Sequence, residues 1–172
     1  MFGRWLTPSA PVPTPTGAEE LEKLVRGALG QKDDDSVLVV VALAGLLGAV
    51  AYADRSYTDG EEAQVRAELA RVHGMPPAAV DVVCAALRRH IVQISSVEVP
   101  RYCRVLRELG DRELRAEVLE VLVDLAAVDG VITTAETNLL RQVTTALGLS
   151  QSEYNDAQAR HRERLSALKP QT

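Results

Sequence analysis

The chain has 172 residues, of which 47% are apolar, 25% charged and 3% aromatic, with a net charge of −5. That length supports one hydrophobic core and argues against a second. The acidic balance, with no Lys/Arg cluster interleaved with aromatics, excludes a nucleic-acid backbone as a partner and leaves cations and basic protein surfaces open.

Residues 1–16 carry Pro8, Pro11, Pro13 and Pro15, which predicts a disordered Pro-rich N-terminal arm ahead of an all-helical domain over 17–172. The arm lacks the apolar core of a signal peptide. Its exception is Trp5, which with Phe2 and Leu6 is able to dock on the domain, on another protomer or on a membrane surface.

Thr16-Gly-Ala-Glu19 reads as a capping box, and Leu21, Leu24, Val25 and Ala28 follow at helical spacing, so a short helix runs to about Leu29 and ends at Gly30. Asp33, Asp34 and Asp35 then place negative charge at the N-terminus of the next helix, where the macrodipole favours it. Val37 to Ala53 contains no charge and approaches a membrane-spanning length. Its counterpart later in the chain carries Glu117, Glu120 and Asp124, no basic cluster flanks it, and Gly45 and Gly48 suit close helix contacts. The segment is therefore expected to be a central helix buried on all sides.

A pattern begins here that the chain writes twice. Leu43, Leu46, Leu47, Val50, Asp54, Tyr57, Thr58, Glu61, Val65 and Val72 are matched in type, at one constant offset, by Val118, Val121, Leu122, Leu125, Asp129, Ile132, Thr133, Glu136, Leu140 and Leu147. Each copy reads as helix, turn, helix, with repeat one over about 36–74 and repeat two over about 111–148. Between them, Pro76 and Pro77 open a helix with Val80, Val83, Leu87, Ile91 and Ile94 on one face. Ser95 to Pro100 reads as a break, followed by a short helix up to Gly110. Ser150-Gln-Ser-Glu153 caps a last helix bearing Tyr154, Ala157, His161, Leu165 and Leu168. No strand alternation occurs. The expected fold is an all-α bundle of about seven to eight helices, built from two helix-turn-helix repeats related by a pseudo-twofold.

The chemistry with a pattern behind it is acidic. In each repeat Thr-x-x-Glu suffices as a capping box, so Glu61 and Glu136 stabilise a helix start by about 0.5–2 kcal/mol without any ligand. Asp54 and Asp129 stand at the ends of apolar helices, where the macrodipole disfavours them. They either accept turn N–H bonds or bind something positive. A hard cation needs six or more oxygens, which one unit cannot supply. Two units brought together would offer Asp54, Glu61, Asp129 and Glu136 as metal ligands, for Ca²⁺, Mg²⁺, Mn²⁺ or Zn²⁺. The spacing is not that of an EF-hand. Because Val50 and Leu125 lie one turn before the aspartates, Asp54 and Asp129 are expected at the rim of the core, shielded from water and facing a shared hollow.

Other chemistries lack support. His73, His90 and His161 have no partner at ligand spacing, and Cys84 and Cys103 read as buried free thiols. No phosphate loop or nucleophile elbow is present, so no enzymatic activity is expected.

Ala-Tyr-Ala-Asp54 with Glu61, and Ala-Val-Asp129-Gly130-Val-Ile-Thr-Thr-Ala-Glu136, resemble the duplicated Ala-Asp-Gly-x-Ile-x-x-x-Glu signature of the TerB-like tellurite-resistance family, itself similar to the N-terminal domain of the membrane-anchored DjlA co-chaperone. The first copy departs from the signature, with Arg55 for the Gly and Tyr57 for the Ile. The resemblance implies a cytoplasmic, non-catalytic helical domain with an acidic surface. It further implies metal binding and a protein partner of the stress-response kind, at times associated with the inner face of the membrane.

Overall fold

The computed structural model describes residues 16–72 and 74–168, with side chains up to Arg164. The Pro-rich arm before Thr16, with Phe2, Trp5 and Leu6, lies outside the described residues, as do His73 and the side chains of Leu165 and Leu168. Among the described residues there are eight helices and no strand.

Helix starts follow the caps written in the sequence. Thr16 opens α1 (Gly17–Leu29) with a complete capping box, and Gly30 closes it at φ 63°. Asp33 accepts a bond from the Ser36 N–H at 2.8 Å and opens α2 (Asp34–Ala51). Thr58 caps α3 (Asp59–Arg71), and Pro77 sits in the first turn of α4 (Pro77–Val97). A single residue, Glu98, separates α4 from α5 (Val99–Leu109). The break expected over 95–100 is therefore much shorter, because Pro100 falls in the first turn of α5, where its missing N–H costs nothing. The sequence does not announce the real irregularity of α4, at His90 (φ −114°, ψ 15°). Asp111 caps α6 (Arg112–Ala126), Thr133 caps α7 (Thr134–Ala146), and Ser150 with Glu153 precedes α8 (Gln151–Leu168).

α2, uncharged beyond its acidic first turn, is the axle of the bundle. It packs against α1, α3, α4, α5, α6 and α7, and 67% of its residues are buried. It is the one described helix long and apolar enough to cross a membrane, and it lies among the other helices, as a core helix does. Its glycines set how closely they approach. A Cβ at Gly45 would stand 2.2 Å from the Tyr102 ring, and one at Gly48 would stand 3.0 Å from Leu87.

From the end of the first helix onward the two repeats agree residue by residue. α2 ends at Ala51 and α6 at Ala126, while α3 and α7 run over the same positions at the repeat offset. The connecting turns also match: Arg55 (φ 67°) and Gly130 (φ 86°) are both left-handed. The hairpins pack crosswise, with α2 against α6 and α7, and α3 against α6. Each turn is thereby brought toward the other hairpin.

Two substitutions test this packing. Gly45→Ala is expected to lower stability by about 1–3 kcal/mol through overpacking on Tyr102. Gly27→Ala, at an open position of α1, is expected to raise it by about 0.5–1 kcal/mol; urea unfolding measures both. Arg55 holds a conformation that glycine adopts without strain, so Arg55→Gly is expected to stabilise the fold by about 1 kcal/mol. An unchanged or lower urea midpoint would contradict that account.

Candidate functional site

The two glutamates of the repeat are buried, Glu61 at 4% and Glu136 at 5% exposure. Each is fixed by its own helix start. The Thr58 N–H donates to Glu61 Oε2 at 2.7 Å, as does the Thr58 hydroxyl at 2.9 Å, and the Glu61 N–H returns a bond to Thr58 Oγ1 at 3.2 Å. In the second repeat the Thr133 N–H donates to Glu136 Oε2 at 2.6 Å and the Glu136 N–H to Thr133 Oγ1 at 3.2 Å. Both capping boxes expected from the sequence are therefore formed.

Asp54 and Asp129 are exposed, which corrects the expectation that they sit shielded at the rim of the core. The reason is geometric. Val50 and Leu125 are buried as expected, but α2 and α6 end one residue later, so the aspartates leave the helical face that those residues define. They stand instead on the turns. Asp54 accepts the Ser56 N–H at 2.8 Å, the short-range turn bond typical of Asp. Asp129 reaches across to the other hairpin, where a Cβ at Gly60 would lie 3.7 Å from its Oδ1.

That crossing accounts for a charge that looked misplaced in the sequence. Asp129 follows the C-terminus of α6, yet its carboxylate lies beside the first turn of α3, a helix N-terminus that favours an anion. The turn Tyr52–Arg55 approaches Ala135 in the first turn of α7, with which it lines one hollow. The sequence signal missed here is the pair of small residues, Gly60 and Ala135, at equivalent positions of α3 and α7.

The crossing also gathers charge. Burial pushes the Glu61 carboxyl above the ordinary carboxylate range, the Thr58 hydrogen bonds oppose the shift, and the charges of Asp54 and Asp129 add to it. The charges of two of the expected ligands thus bear on a third. The other carboxylates nearby are neutralised: Arg88 pairs with Glu62 and Asp59 and stacks over Tyr57, while Asp124 is bound by His161 and Arg164 of α8. Cys84 and Cys103 are free and buried, and burial holds the Cys103 thiol up at about 11.

The donor set does not form a ready metal cage. Among the described residues, no three His, Cys, Asp or Glu side chains are grouped so as to hold a metal ion. One oxygen of Glu61 and one of Glu136 are already committed to the capping boxes.

The raised Glu61 carboxyl has a consequence for stability. The folded chain keeps this proton at a pH where the unfolded chain, titrating near 4.5, has released it. The Glu61 contribution to stability therefore falls as pH rises from that value through the folded one. Gln keeps the cap but cannot ionise. Relative to wild type, Glu61→Gln is expected to gain stability between about pH 4 and about pH 7. Parallel urea titrations at the two pH values give the difference, and a gain toward acid pH would refute the assignment.

Residues 40–159 match the model of the family described as tellurite resistance protein TerB. No match was found among curated proteins or among solved structures. The matched span takes in the second hairpin, the first from Val40 onward, both crossed turns and the four repeated carboxylates: the chain belongs to the TerB family.

Proposed function

We propose that the chain is a non-catalytic binding module of the tellurite-resistance, stress-response type, whose crossed turns present an acidic site for a cation. Asp54, Asp129 and Glu61 form its centre, and Glu136 is the matching carboxylate of the second repeat. The observation that carries the reading is the crossing of the Asp129 carboxylate to the first turn of α3 beside Gly60, where its charge, with that of Asp54, bears on the buried Glu61 carboxyl. A positive charge placed there relieves their mutual repulsion. Because no three donors are preassembled among the described residues, the site suits a divalent ion that keeps much of its water, as Mg²⁺ does, or the Lys or Arg side chain of a protein partner. The proposed setting is the cytoplasm, with a partner that can itself be attached to the inner face of the membrane.

A second reading has its own support. The complete capping boxes account for Glu61 and Glu136 by helix stability alone, which leaves a helical interaction domain in the manner of a co-chaperone, with its acidic pairs serving only as caps.

Thermal melts separate the two. For the cation site, a divalent ion at 100 times its dissociation constant adds about 2.7 kcal/mol, which raises the melting temperature by about 5–10 °C. The rise disappears in Asp54→Asn with Asp129→Asn. If Ca²⁺, Mg²⁺, Mn²⁺ and Zn²⁺ all leave the midpoint of the wild-type chain in place, the metal form of the proposal fails.

A further inference from the structure

The start of α1 is clamped to α4. The Gly17 N–H donates to Gln93 Oε1 at 2.9 Å, and a Cβ at Gly17 would stand 2.9 Å from that of His90. Only glycine allows this approach, so the point where the N-terminal arm meets the bundle is fixed on α4.

On the same stretch of α4, Val92, Ser95 and Ser96 line a hollow of about 380 Å³. Its other walls include Ala49 of α2, the turn residue Tyr52, and Leu139 of α7. Val92 is 60% exposed, a large apolar side chain at the mouth of a mostly apolar hollow. Nothing among the described residues covers it.

We propose that this hollow is the docking site of the chain's own N-terminal arm, with the Trp5 indole as the inserted group. Reach permits it. Ten residues lie between Trp5 and Thr16, and the eleven extended steps from one to the other span about 36 Å, whereas the hollow begins within one helical turn of the residues that hold Gly17. The four prolines of the arm restrict its unbound conformations, which lowers the ordering cost of docking. Chemistry permits it as well. An indole is the largest apolar group that the arm can offer, burying about 150–250 Å². Its N–H needs an acceptor, and the Ser95 and Ser96 hydroxyls lie in the wall. Arg55, also in the wall, supplies a guanidinium for the ring face.

A second apolar hollow, of about 480 Å³, lies between α2, α3 and α6 and is lined by residues including Val39, Leu43 and Leu114. It is the less suitable site for Trp5, because none of its walls belongs to α4 or to the start of α1. Docking in the first hollow lays the arm over Tyr52 and Arg55, the turn that carries Asp54. It does so whether or not that aspartate binds a cation.

Trp5 is the single tryptophan of the chain, so the intact protein reports on it directly. The test compares indole emission and acrylamide quenching of the full chain with those of a synthetic peptide of residues 1–15. Docking predicts blue-shifted emission and quenching at least about threefold weaker than in the peptide. Val92→Asp at an exposed position and Ala135→Glu at the hollow's edge are each expected to return both signals toward the peptide values. Circular dichroism confirms that the variants remain folded. Leu114→Asp, in the other hollow, is expected to leave the signals unchanged. Peptide-like emission in the wild type overturns the proposal. So does protection that survives both hollow variants, protection lost in Leu114→Asp, or protection that vanishes on dilution, since the last would place Trp5 on a second copy.

Discussion

The structure depends on burying one helix that carries no charge between its acidic first turn and its end. α2 cannot present any long face to water at low cost, and six other helices close around it. Each contributes apolar side chains to one continuous core, and two glycines on α2 let Tyr102 and Leu87 approach its backbone. The duplicated hairpin follows from that demand. α3 covers one flank of α2 as α7 covers one flank of α6, and the two pairs, laid across each other, bury what neither pair buries alone. Crossing the hairpins brings the turns to the facing helix starts, and the placement of Asp129 beside Gly60 is a by-product of that crossing.

Electrostatics then divides the carboxylates into three kinds. On the outer faces, Glu62 and Asp59 are met by Arg88, and Glu120 and Asp124 by Arg160 and Arg164. Glu61 and Glu136 turn inward and receive the backbone N–H groups that open their helices. Among the described residues, Asp54 and Asp129 have neither a paired arginine nor burial. Such charges at the surface cost little alone, but these two lean on a buried third. In the proposed function, a positive ligand is drawn there because it relieves this repulsion.

Most of the architecture was legible because its signals are local. Thr16, Thr58, Thr133 and Ser150 each sit three residues before a glutamate, and each opens a helix in the structure. The constant offset between repeats extended to the left-handed turn residue, Arg55 in one copy and Gly130 in the other. The aspartates were misjudged because helical periodicity was carried past Ala51 and Ala126, where the helices had already stopped. The partner of Asp129 was invisible for a different reason. Gly60 precedes it by far in sequence, and only the crossing of the hairpins makes them neighbours. The irregularity at His90 and the pairing of Asp124 with α8 are likewise tertiary facts that no local spacing encodes.

The clasp between α6 and α8 bears on how many hairpins such a chain can hold. Stacked helical repeats expose an unsatisfied flank at each end of the pile, and the array grows until something polar seals it. Here α8 lies along α6, with Tyr154 and Ala157 buried and His161, Arg160 and Arg164 tied to Glu120 and Asp124. These acidic positions have no counterpart on α2, where the same sites are Gly45 and Ala49. The flank of α6 is thereby converted from a surface that would accept another hairpin into one already locked by ion pairs. Among the described residues, the second hairpin is thus sealed along the flank of α6 that α8 covers.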